Sequence, residues 1–157
     1  MQERNAAIVG GIIAGLATTA FMVAGRKSGA LTKTLDRDAV DWIDRATGSR
    51  EVIGEAGTSA VEFVNHIATS AAFGAAVPTL RSYVPDMSAA TFGALYGTAL
   101  YAVNIGAIAP MLGITQGEVQ AGPRKAAERW GTHVLQGVLT AVLAEELTTR
   151  PERPARY

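Results

Sequence analysis

Residues Ala6–Gly25 read AAIVGGIIAGLATTAFMVAG, twenty residues without a charge, bounded by Glu3 and Arg4 on one side and by Arg26 and Lys27 on the other. An α-helix rises about 1.5 Å per residue, so the stretch spans about 30 Å, the hydrocarbon thickness of a bilayer. In lipid a helix satisfies its own backbone donors and acceptors, which an open chain does not. The reading is a transmembrane helix, and every later segment has to be reconciled with a membrane. Two other readings compete with it. A cleaved signal peptide has a shorter apolar run and a more basic start than Arg4 alone supplies, and the remnant would still hold apolar segments needing the same explanation. A buried helix of a soluble protein is poorly served by glycine at positions 10, 11, 15 and 25, because each costs about 1 kcal/mol against alanine in water. In membranes glycine is common, since it lets helices approach closely.

Three more apolar segments follow. Residues 59–84 carry Glu62 near their start, Asn65 and His66 inside, and Pro78 toward the far end. Residues 89–113 belong to a charge-free run that reaches Ile114, with Asn104 and Pro110 as its irregular points. Residues 130–147 are charge-free from Trp130 to Ala144 and end on Glu145-Glu146. Trp130 and Tyr83 sit where interfacial aromatics are expected. Between the first two segments, residues 31–47 put Leu31, Leu35, Ala39, Trp42, Ile43 and Ala46 at helical spacing, with Lys33, Asp36, Arg37, Asp41 and Asp44 mostly on the other face. Thr34 is placed to cap that helix and Gly48 to end it. It is too charged to span. It lies either at the membrane surface, with Trp42 at headgroup level, or packed on its own loop; the acidic polar face weakens the first reading. The expected fold class is therefore all-α: one integral membrane domain over residues 1–157, a four-helix transmembrane bundle with an amphipathic helix in the first loop.

Lys and Arg number 14, as do Asp and Glu, so the net charge is zero and no basic excess argues for nucleic acid. The absence of cysteine excludes disulfides, thiolate catalysis and Cys-based zinc sites. No nucleophile elbow, phosphate loop, HExxH or GxGxxG occurs. No catalytic residue, metal site or cofactor is assigned, and an enzyme is not expected. With four spans, both termini and the 79–87 turn share one side and hold five basic residues (Arg4, Arg81, Arg150, Arg153, Arg156). Loops 26–58 and 115–129 hold the other nine, and the excess of Lys and Arg puts these loops in the cytoplasm.

Gly11/Gly15 and Gly93/Gly97 form GxxxG pairs, grooves where another backbone can pack. They suit internal helix packing and also a homo-oligomer or a second membrane protein, beside the lipid bilayer itself. A faint internal repeat accompanies them: each GxxxG helix precedes a polar loop and then a helix with an early histidine, Asn65-His66-Ile67 in one half and Thr132-His133-Val134 in the other. Polar stripes mark three helices: Glu62, His66, Thr69 and Phe73; His133, Gln136 and Thr140; Gly97, Tyr101 and Asn104. Such groups face a bundle interior, because burial in lipid without a partner costs several kcal/mol. The candidate intramembrane site is accordingly Glu62, Asn65, His66, Tyr101, Asn104, His133 and Gln136. Three accounts of it stay open. Interhelical hydrogen bonding is the plainest. Proton or ion handling by His66, Glu62 and His133 is the second. A metal or bis-His haem site is the third, against which stands the lack of ligand spacing on one helix.

The Gly-rich first span, the helix with an early His66, the GxxxG span with tyrosines that ends near Pro110-Met-Leu-Gly113, and the last helix opening on His133 together resemble the small YagU-like bacterial inner-membrane proteins. The resemblance covers residues 6–147, and the acidic stretch 29–58 is the part that matches it least. It implies a four-helix membrane bundle in the bacterial inner membrane, histidines at 66 and 133, and a link to acid resistance. The function expected is that of a structural or accessory multi-spanning membrane protein; the alternative is a transporter or channel component that handles protons or ions under acid stress.

Overall fold

The uncharged first stretch forms a single rod, α1, Glu3–Lys27. In this computed structural model, which describes residues 1–149, every regular element is helical. The tail arginines 150, 153 and 156, counted above for orientation, lie outside the described residues. After α1 come α2 (Leu35–Thr47), α3 (Ser49–Arg81), α4 (Ala89–Val103), a π-turn (Asn104–Ile108), α5 (Ala109–Met111), α6 (Glu118–Ala121) and α7 (Pro123–Thr149). The π-turn and α5 prolong α4. Pro110 cannot donate to the carbonyl of Gly106, and its ring would crowd that carbonyl; the wider turn just before it, closed by Ala109 N–H to Asn104 O, takes up the mismatch.

The α2 caps are the expected ones. Thr34 accepts from the Arg37 amide, and Gly48 ends the helix at φ 65°, a left-handed conformation natural only to glycine. The same residue opens α3, which kinks at Gly54 (φ 67°). Two boundaries differ from the sequence expectation. Helix α3 starts at Ser49 rather than near 59, and α7 at Pro123 rather than near 130. In both, the polar stretch before the apolar run is helical because it packs against α2 or α6, contacts that a hydropathy argument does not see.

The rods pack through small residues. A Cβ placed on Gly11 would fall 3.0 Å from Gly74 Cα, and one on Gly15 would fall 2.6 Å from Ser70 Oγ; these glycines set the α1–α3 distance. A Cβ on Gly93 would strike Gly137 O at 2.6 Å, and one on Gly97 would strike the His133 backbone, so the second GxxxG does the same for α4 and α7. Gly10, on another face of α1, lies against Thr140 O and Ala144 N of α7. Helix α1 thus touches both α3 and α7. Helices α3 and α4 meet mainly through side chains at one end, where Ala7, Val77, Phe92, Tyr96, Ala141 and Ala144 form the apolar core. There Tyr96 Oη donates to Phe73 O at 2.8 Å, and the Arg81 guanidinium lies 5.6 Å over the Phe92 ring.

Two helical rods are long and apolar enough to cross a membrane, Glu3–Lys27 and Ala89–Met111. The other two long helices, α3 and α7, carry charges in their opening turns, Arg50, Glu51 and Glu55 in one and Arg124, Lys125, Glu128 and Arg129 in the other.

Candidate functional site: a cavity under α2

Away from the apolar core the bundle opens into a cavity of about 240 Å³. Its walls come from α1 (Thr18), α3 (Asn65, His66, Thr69), the π-turn (Asn104) and α7 (Arg129, Thr132, His133, Gln136), and residues 31–36 close over it. Helix α2 therefore rests on the end of its own bundle. The reason is electrostatic. The face that carries its acids meets the face where the bundle carries His66 and Arg129.

The contacts form a connected set. Asp36 Oδ2 is 3.0 Å from His66 Nδ1. The other ring nitrogen, Nε2, is 3.3 Å from Thr18 Oγ1. Thr18, wholly buried, donates to Gln136 Oε1 at 2.7 Å, and Gln136 Nε2 donates to Gly11 O at 3.3 Å. A four-member chain thus runs from α2 into the centre of the bundle. Beside it Arg129, 6% exposed, pairs with Asp38 of α2 at 2.8 Å and with Glu118 of α6 at 2.5 Å. Burial of a charge is tolerated only with such pairing.

The surrounding ions fasten the lid. Lys33 reaches Asp38 at 2.8 Å and Asp41 at 2.7 Å, and Arg50 at the start of α3 binds Asp41 as well. Lys33 and Arg50, by hydrogen bonding to it, hold the Asp41 carboxyl down to about 2. Glu128 accepts from both the amide and the hydroxyl of Thr32, at 2.9 and 2.7 Å, and these donors, the amide first, lower its pKa. Burial works against the Lys33 charge, but hydrogen bonds and attraction from Asp38 and Asp41 outweigh it and raise its pKa.

The seven residues singled out from sequence do not form one cluster. Asn65, His66, Asn104, His133 and Gln136 line the cavity; Glu62 and Tyr101 do not. Glu62 turns toward the lid, accepting from Thr34 at 3.3 Å and lying 3.6 Å from Arg37 and 3.8 Å from Arg26. Tyr101 donates to Glu118 at 2.9 Å and presents its ring to His133 in an edge arrangement, with centroids 5.9 Å apart. The two histidines share the cavity without a hydrogen bond between them: His133 Nδ1 is taken by Arg129 O at 2.8 Å. Gly11, Gly15, Gly93 and Gly97 all sit in the helix contacts where they were expected. The described residues hold no group of three or more His, Asp or Glu side chains arranged around a metal position.

The chain matches no protein-family model, no curated protein and no solved structure. Its site is therefore interpreted from geometry alone.

Three members of the site escaped the sequence reading. Thr18 looked like filler in an apolar run, though its spacing from Ala14 and Gly15 puts it on the small-residue face. Arg129 was counted as a loop charge, though it stands one turn before His133 on the same stripe. Asp36 belongs to a distant helix, and no local signal joins it to His66.

Proposed function

We propose that this chain is a four-span integral protein of the bacterial inner membrane with a structural or accessory role. One observation carries the membrane reading: the long helices α1, α3 and α4 turn large apolar side chains outward. Val9, Ile13, Leu16, Phe21 and Val23 do so on α1, Val61, Phe63, Val64 and Leu80 on α3, and Leu95 and Val103 on α4, while on α7 Trp130 does. Exposed apolar faces of this extent suit lipid rather than water. The apolar core of Val77, Phe92, Tyr96, Ala141 and Ala144 lies away from the cavity, which favours an accessory or binding role over a through-going channel. In this reading residues 26–58 and 115–129, with the lid, are cytoplasmic, and the likeness to YagU-like proteins fits the same placement.

The test is alkaline carbonate extraction of membranes together with topology reporters. The protein should stay in the pellet, a reporter near Gly48 should read as cytoplasmic, and one after Tyr157 as periplasmic. Release into the supernatant would end the membrane reading.

A second reading, proton handling, is favoured by one feature: His66 bridges a carboxylate and a buried hydroxyl chain. Proteoliposomes given a pH gradient would test it, with loss of flux in His66→Gln as the expected result and flux equal to empty vesicles as the refutation.

A further inference from the structure

We infer that His66 is a proton-binding site whose charged form tightens α2 over the cavity, one proton-dependent link in a lid that other ion pairs also fasten. The argument is a count of donors. Gly11 O can only accept, so the Gln136 group 3.3 Å from it is the amide nitrogen, and the oxygen faces Thr18. Three oxygens lie around Thr18 Oγ1, Gln136 Oε1 at 2.7 Å, Ala14 O at 3.0 Å and Gly15 O at 3.1 Å, and the closest contact takes the single Thr18 proton, because two oxygens 2.7 Å apart need a hydrogen between them. Thr18 then meets His66 Nε2 as an acceptor, at 3.3 Å, and Nε2 must donate. Nδ1, 3.0 Å from the Asp36 carboxylate, donates too. A ring that donates from both nitrogens is an imidazolium. When it loses a proton, either the lone pair of Nε2 faces the lone pairs of Thr18, or Thr18 turns to it and abandons Gln136. In the alternative tautomer Asp36 loses its donor. Each neutral form breaks one link of the chain.

The other charges around His66 fasten the lid independently of that proton, Glu128 of α7 through the amide and hydroxyl of Thr32. From α3, Glu62 is engaged by Thr34, Arg37 and Arg26. From α7, Arg129 is held by Asp38 and Glu118 and keeps its charge at any ordinary pH. His133, also on α7, spends its Nδ1 proton on Arg129 O. Lys33 is paired with Asp38 and Asp41. Among the ion pairs of the described residues that join α2 to the bundle, Asp36–His66 is the one built on an imidazole, the side chain whose ordinary charge change lies near neutrality. Glycines with positive φ at 29 and 48 flank the lid.

The experiment uses the full chain in detergent. The chain has no cysteine, so Arg45→Cys on α2 and Ala127→Cys on α7, both exposed, give clean spin-label sites. Between about pH 5 and about pH 9, which brackets the imidazole range, the interlabel distance should pass from one short population to a mixture with a longer one. Asp36→Asn should show the longer population at both ends. In parallel, ¹⁵N spectra of His66 should show both ring nitrogens protonated in the latched form, and Thr18→Val should weaken the pH response while the helix content stays unchanged. A neutral His66 while the lid is closed would overturn the inference. So would a distance that ignores pH while His66 titrates. Neither outcome bears on membrane insertion or on proton flux, which are read by separate measurements.

Discussion

The two GxxxG hairpins, α1 with α3 and α4 with α7, obey one packing rule and yet end up with different neighbours. Superposing Gly11/Gly15 on Gly93/Gly97 puts Gly10 and Ala14 at the positions of Phe92 and Tyr96. On the partner helices, aligning His66 with His133 sets Phe73 against Thr140 and Val77 against Ala144. Helix α1 therefore has two small faces and accepts α3 on one and α7 on the other. Helix α4 has one, and its rings hold α3 at arm's length, with Tyr96 touching only the Phe73 carbonyl at 2.8 Å. Small residues on a second face give a closed seam between α1 and α7. Large ones keep α3 and α4 apart, and the cavity opens farther along, between α3, the π-turn and α7. The same alignment pairs Glu62 with Arg129, opposite charges at equivalent places, and α2 reaches both, through Thr34 and Arg37 to the first and through Asp38 to the second. The lid is what the departure from symmetry makes room for.

The largest way to break this comparison is at Arg129. Arg129→Met takes the shared buried cation from Asp38 and Glu118, which keep Lys33 and the Tyr101 hydroxyl, so the loss should fall toward the low end of the about 3–5 kcal/mol that breaking a buried pair costs. Thermal unfolding in detergent should register it, while Glu62→Gln, whose partners are more exposed, should cost far less. Equal losses would mean that the two halves carry the lid alike. Next, Gly10→Phe gives α1 the ring that α4 has. The Cβ alone would already lie 3.0 Å from the Ala144 amide nitrogen, and overpacking against backbone costs about 3 kcal/mol. The variant should lose thermal stability to about that extent, with weaker crosslinking between α1 and α7; wild-type stability would show that the seam does not depend on small residues.

A smaller effect sharpens the polar side. Thr18→Val keeps the shape and deletes the hydroxyl between His66 and Gln136, at about 0.6 kcal/mol and up to about 2 for a membrane hydrogen bond. Leu100 is the equivalent residue on α4, and Leu100→Val should leave the ¹⁵N signals of both histidines unmoved where Thr18→Val shifts those of His66. The smallest effect is acid loosening of the lid. Lys33 and Arg50 hold the Asp41 carboxyl below the usual carboxylate range, at about 2, so its stabilising contribution is full above about pH 4 and is lost as pH falls through about 2. Because the carboxylate is partly exposed, the contribution is under about 1 kcal/mol. Melting temperature against pH should decline across that window, and Asp41→Asn should flatten the decline.

Sequence alone determined the helices and their small-residue faces. Charge-free runs and GxxxG spacing are local properties, and they placed α1, the α4 rod, the α2 caps at Thr34 and Gly48, and all four packing glycines. Five of the seven polar candidates line the cavity, because helical periodicity sets which side of a helix a residue occupies. Tertiary structure decided which faces meet. Asp36 lies thirty residues before His66 and Thr18 forty-eight before it, and no periodicity within one helix encodes an encounter between three. The same holds for Arg129, which hydropathy assigns to a loop and which only Asp38 and Glu118 make tolerable in the interior. A buried charge is stabilised by partners fixed in space rather than in sequence, so its place is settled only when the helices have packed.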